Sequence, residues 1–132
     1  MKHATDVGQR LLSEAQNWPE SWRTEKADVP IGFGILNTVT PFLESLAKSG
    51  AAETTLRRHF SNVWLLGGEI IRQSSYDSDL RSMSAHDLVF HFLDEEGGPL
   101  SQHNSTESQQ RSFDSSCRKL YKFLLDQSSE NQ

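Results

Sequence analysis

A chain of 132 residues is one domain by length, and a hydrophobic fraction of 35% supports a single modest core with part of the chain thinly packed. No run of about 18 apolar residues is present, which excludes a membrane-spanning helix, and the lone Cys117 excludes an intrachain disulfide and suits a reducing compartment. A net charge of −5 argues against a generic nucleic-acid binder.

The start, Met1-Lys2-His3-Ala4-Thr5-Asp6, carries no hydrophobic signal segment, so a cytoplasmic location is expected. Residues 1–34 read as a partly ordered arm. Within it Val7, Leu11, Leu12 and Ala15 fall at helical spacing, which predicts a short helix from Asp6 to about Asn17, stopped by Pro19. Trp18 and Trp22 are expected to anchor the arm on the rest of the domain. Pro30-Ile31-Gly32-Phe33-Gly34 is expected to break regular structure.

Residues 35–127 read as a four-helix bundle, followed by a disordered tail at 128–132. The first bundle helix is expected to open with Thr40 as its cap and Pro41 in its first turn. Phe42, Leu43, Leu46 and Ala47 form its apolar face, and Gly50 supplies a left-handed terminator. Thr54 or Thr55 is expected to cap the second and longest helix. Leu56, Phe60, Val63, Trp64, Gly67, Ile70 and Ile71 form its inner face, with Trp64 in the core. Arg57, Arg58, Asn62, Glu69 and Arg72 are placed on its outer face. Gly67-Gly68 costs about 1 kcal/mol per glycine relative to alanine, so close approach of a neighbouring helix backbone is expected there.

A polar connection over Ser75–Met83 leads to Ser84-Ala85-His86-Asp87, a capping-box start for the third helix, whose inner face is Ala85, Leu88, Val89, Phe92 and Leu93. Asp94-Glu95-Glu96-Gly97-Gly98-Pro99 ends it. After a loop over Leu100–Asn104, Thr106 and Gln109 mark the start of the fourth helix. There Phe113, Cys117, Leu120, Tyr121 and Leu124 align on one side, and Arg111, Arg118 and Lys122 lie nearly opposite with Lys119 at their flank. No segment alternates as a half-buried strand would. The fold class is all-α.

Charge is unevenly spread. Residues 75–96 hold Asp77, Asp79, Asp87, Asp94, Glu95 and Glu96 against Arg81, a balance of −5, whereas residues 111–125 balance at +3. No catalytic or metal constellation stands out, and no cofactor is expected. His86 and His91 are five apart and face different ways, and His59, His103 and Cys117 lack ligand-like spacing with them. Cys117 falls in the core register, where a thiol is inert. Glu95-Glu96 reads as a helix end rather than an acid–base pair.

Phe42-Leu43-Glu44-Ser45-Leu46, a Gly-containing turn, then Thr55-Leu56-Arg57-Arg58-His59 resembles the start of the core-binding domain of phage-type tyrosine recombinases. Ser84-Ala85-His86-Asp87-Leu88 and Arg118-Lys119-Leu120-Tyr121-Lys122-Phe123-Leu124 resemble that domain's third and fourth helices. The resemblance implies a SAM-like four-helix domain that grips duplex DNA, a stand-alone module of mobile-element origin linked to DNA integration and recombination. The family's Arg, His and Tyr catalytic set lies in a separate C-terminal domain, which this chain is expected to lack.

Arg57, Arg58, Arg72, Arg118, Lys119 and Lys122 are the candidate phosphate contacts. Amide groups at the Thr54–Arg58 helix start would add to them. A competing expectation is a protein-interaction adaptor, in which the acidic 75–96 segment and the Trp-bearing arm meet a basic partner or a second copy of the chain.

Overall fold

In the structure, a computed structural model, residues 5–100 and 105–130 are described, and every regular element among them is a helix. In chain order these are α1 (Asp6–Ala15), α2 (Trp18–Trp22), α3 (Asp28–Ala47), α4 (Glu53–Ser74), α5 (Ser78–Arg81), α6 (Ala85–His91) and α7 (Glu107–Glu130). The all-α expectation holds. The chain start before Thr5 and His103 fall outside the described residues, as do 131 and 132 of the expected tail; the backbone of α7 continues as helix to Glu130.

The fold is organised around α3, which touches α1, α2, α4, α6 and α7. Its sequence explains the position: Ile35, Leu36, Val39, Phe42, Leu43 and Ala47 are buried around much of its circumference, as a central helix requires. Against it, α4 and α7 pack as an antiparallel pair. The sense follows from the hydrogen bonds that tie His59 to Ser116 and Asn62 to Ser112. On α7, Phe113, Leu120 and Leu124 are fully buried, and Cys117 lies beside them at 2% exposure.

Two expectations about α3 are corrected. Pro30–Gly34 does not interrupt regular structure, and the first bundle helix does not begin at Thr40. Pro30 sits in the opening turn of α3, where an amide donor is not needed. Gly32 lets Pro19 pack close, since a β-carbon there would lie 3.1 Å from Pro19 Cα. Gly34 does the same for Ala85, at 2.8 Å. Pro41 is therefore inside the helix. Its missing amide leaves the carbonyl of Asn37, an exposed residue, open to water. Thr40 caps nothing; its hydroxyl donates to the Leu36 carbonyl at 2.6 Å, as Thr38 does to Gly34 at 2.9 Å.

The remaining helix ends follow local chemistry. Gly50 adopts φ 81° beyond α3, the left-handed terminator expected of it. Neither Thr54 nor Thr55 caps α4, which starts after Ala52 with no side-chain cap. Ser84 accepts from the Asp87 amide at 3.2 Å and opens α6 as predicted. Thr106 accepts from the Gln109 amide at 3.1 Å, while Gln109 Oε1 returns to the Ser105 amide at 2.8 Å. The polar connection after α4 contains a helical turn, α5, capped by Asp77. After α6, Asp94 Oδ1 accepts from the amides of Glu96 and Gly97 and closes a tight turn.

The N-terminal arm is part of the core. Trp22 is buried, and its indole lies over Gly67, where a β-carbon would overlap the ring. Trp22 Nε1 donates to the Trp64 carbonyl at 2.9 Å. The glycine pair on α4 thus accommodates an indole, not the helix backbone anticipated from sequence. Trp18 packs edge-on to Phe60 at a centroid distance of 6.4 Å. The tryptophans of the arm are its anchors. Trp64, placed in the core from sequence, is 38% exposed and donates through Nε1 to Ser21 Oγ at 2.9 Å.

Candidate nucleic-acid interface

The six basic candidates fall into two sets. Arg58 on α4 and Lys119 on α7 are exposed, and the charges of both bear on His59. The antiparallel packing of the two helices brings them together. Lys122, also exposed, follows Lys119 by one turn of α7, and exposed Arg111 lies on the same helix nearer its start.

The other three are committed elsewhere. Arg57 Nη2 lies 3.5 Å from Glu53 Oε1, and the side chain lines a cavity of about 300 Å³ with Glu14, Trp18 and Trp64. Arg72 forms a two-point contact with Glu69, with Nε at 3.1 Å from Oε2 and Nη2 against Oε1. This pair borders a second cavity, of about 330 Å³, beside Trp22 and Trp64. Arg118 Nη1 donates to the Glu96 carbonyl at 3.2 Å and braces the turn after α6. Arg57 and Arg72 therefore face the arm, whereas Arg118 shares the outer side of α7 with Lys122, four residues on, and is tied to the turn after α6.

Between α4 and α7 lies a buried polar network that outer-face placement missed. Asn62 is 8% exposed; its Nδ2 donates to the Ser112 carbonyl at 3.1 Å and to Ser116 Oγ at 2.9 Å. Ser116 Oγ in turn sits 2.7 Å from His59 Nδ1. The Ser116 hydroxyl can donate to Nδ1 or, with its second lone pair, accept from it, according to the imidazole tautomer, and either way His59 serves as a neutral partner. Burial, then the positive charges of Arg58 and Lys119, hold the His59 pKa below its ordinary value, in keeping with that role. The Ser–His pair has the separation of a nucleophile and base, but Ser116 is fully buried and meets no substrate. Glu69 is likewise buried, at 3%, against its expected outward position. The spacing of Ser112 and Ser116, four apart on α7 and facing His59 and Asn62, was the available signal.

Other sequence candidates carry no chemistry in the fold. His86 and His91 are exposed and pack against different aromatic rings, Phe90 in a tilted contact and Phe92 edge-on. Cys117 is buried, and burial pushes its thiol well above the range in which a thiolate forms. Glu95 and Glu96 are exposed on the turn after α6. No group of three or more His, Cys, Asp or Glu among the described residues is placed to hold a metal ion, and no described helix is long and apolar enough to cross a membrane.

A further cluster, unmarked in the sequence reading, joins the arm to α5. Asp28 is 1% exposed and accepts from the Thr24 amide at 2.8 Å, the Thr24 hydroxyl at 2.9 Å and the Glu25 amide at 3.1 Å. Arg81 Nη2 reaches Asp28 Oδ1 at 2.7 Å and Glu25 Oε1 at 3.0 Å. Burial alone would raise the Asp28 pKa, but these donors and the Arg81 charge outweigh it and hold it below the ordinary carboxylate value.

Comparison of the chain with protein-family models, with curated proteins and with solved structures finds no match.

Proposed function

We propose that this domain is a non-catalytic module that binds duplex DNA through the α4–α7 face, with Arg58, Lys119 and Lys122 on the phosphates. The observation that carries the reading is the convergence of Arg58 and Lys119 over His59 from two different helices, with Lys122 one turn along. A rigid pair of antiparallel helices holds these cations at fixed spacing, which phosphate positioning requires. The likeness to a recombinase core-binding domain supports the same reading. Arg57, Arg72 and Arg118, held by Glu53, Glu69 and the Glu96 carbonyl, serve the fold on this account.

Three phosphate contacts on a chain of net charge −5 predict modest, salt-sensitive affinity without base readout. Fluorescence anisotropy with a labelled duplex should give micromolar binding at low salt. The slope of log affinity against log salt should be about −3, from about −0.9 per neutralised phosphate. Exchanging Arg58, Lys119 and Lys122 for glutamine should abolish binding, whereas Arg72→Gln should leave it within about twofold, since a side chain not on phosphate contributes no counterion release. No duplex binding at micromolar protein and low salt would sink the proposal.

A further inference from the structure

The cavity of about 300 Å³ where the arm meets α4 is at the lower end of the ~300–1,000 Å³ typical of small-molecule sites. Its apolar wall is Leu11 of α1, Trp18 of α2, and Phe60 and Trp64 of α4. Trp18 is held edge-on to Phe60, and Trp64 is fixed by its Nε1, which donates to Ser21 Oγ at 2.9 Å. That hydrogen bond occupies the only polar atom of the indole, so the ring has carbon alone to offer a ligand.

Two opposite charges line the same cavity, Glu14 from α1 and Arg57 from α4, and they are not paired with each other. Glu14 is exposed, and among the described residues its carboxylate has no hydrogen-bond or ion-pair partner. Arg57 meets Glu53 at a single point, 3.5 Å away, between half-exposed side chains. Such a pair contributes little and leaves most of the five guanidinium donors free for a better-placed acceptor. A carboxylate and a guanidinium on one partly apolar space complement a ligand that carries both charges. A lone cation would be opposed by Arg57 and a lone anion by Glu14.

We infer that the cavity between the arm and α4 binds a small zwitterion with a bulky apolar body, the chemistry of a free amino acid with an aromatic or large aliphatic side chain. Its carboxylate meets Arg57, its ammonium meets Glu14, and its side chain lies among Leu11, Trp18, Phe60 and Trp64. Burial of the apolar body supplies affinity, and the two charges select against ligands that carry only one of the matching groups. None of Arg58, Lys119 and Lys122 lines this cavity, so the inference stands or falls independently of DNA binding.

The test uses the whole chain and L-phenylalanine as the probe. Isothermal titration calorimetry should show one site with a dissociation constant on the order of 100 μM, within the reach of so small a ligand. Tryptophan emission should change on binding, because Trp18 and Trp64 line the site. Phenethylamine, which lacks the carboxylate, and 3-phenylpropionate, which lacks the ammonium, should each bind about tenfold or more weakly. Glu14→Gln and Arg57→Gln should weaken phenylalanine binding about as much, and Glu14→Gln should at the same time improve 3-phenylpropionate, whose repulsion it removes. Both side chains are exposed, so the variants should fold, and thermal unfolding checks that they do. The analogue series on the unaltered chain decides the matter whatever the variants do. No heat or emission change at millimolar phenylalanine, equal binding of a singly charged analogue, or unchanged affinity in both variants would overturn the inference.

Discussion

His59 shows how one side chain couples packing to solution conditions. It is 3% exposed, hydrogen-bonded to Ser116, and surrounded by charges that oppose its protonation. Its folded pKa lies below the ordinary histidine value of 6.5, so the unfolded chain takes up the proton first as pH falls. The neutral imidazole therefore contributes full stability above about pH 6.5. That contribution declines below this point until pH passes the lower folded value. Urea midpoints measured across this window should fall with pH, and His59→Gln should flatten the slope whatever its effect on absolute stability. An unchanged slope in the variant would locate the titration elsewhere. Asp28 acts at lower pH with the same sign: its lowered folded pKa gives stability that is present above about 4 and lost as the carboxylate protonates.

At the scale of elements, α3 separates what sequence pattern reveals from what only packing decides. Phe42, Leu43 and Ala47 were legible as its apolar face, but the start of the helix and the burial of Ile35, Leu36 and Val39 were not. Thr40-Pro41 looks like a helix opening because both residues favour one, and Pro30–Gly34 looks like a break for the same local reason. Tertiary contacts overrule both signals: Pro19 and Ala85 pack where Gly32 and Gly34 have no side chains, and burial of the apolar face outweighs a hydrogen bond lost at Pro41. Thr40→Ala discriminates between the two readings. Loss of a cap would cost about 1 kcal/mol, whereas removal of a hydroxyl that back-bonds to Leu36 should be neutral or stabilising by a few tenths of a kcal/mol. Thermal unfolding of the variant measures it. The starts of α6 and α7 were read correctly because their caps are local, with Ser84 and Thr106 each serving an amide three residues ahead. The polar residues of the α4–α7 seam were not, since a helical wheel cannot say which flank of an amphipathic helix meets a neighbour. Asn62 and Glu69 lie on such flanks.

For the molecule as a whole, the decisive join is between the arm and α4. Gly67→Ala would stabilise an open helix by about 1 kcal/mol. Here the new methyl group meets the Trp22 indole, so the variant should instead be destabilised by about 1–3 kcal/mol. In a Trp22→Ala background the clash disappears, and a double-mutant cycle by denaturant unfolding should return a clear coupling energy. Independent additivity of the two changes would mean that the arm is not seated on α4. The seat also has a temporal side. Trp22 and the Trp64 carbonyl are 42 positions apart in the chain. During synthesis the arm leaves the ribosome long before its glycine notch exists, and both tryptophans of α2 remain uncovered until α4 has emerged. The arm, made before α4, thus finds its place only after α4 is complete, and the nascent chain exposes its tryptophan anchors through that interval.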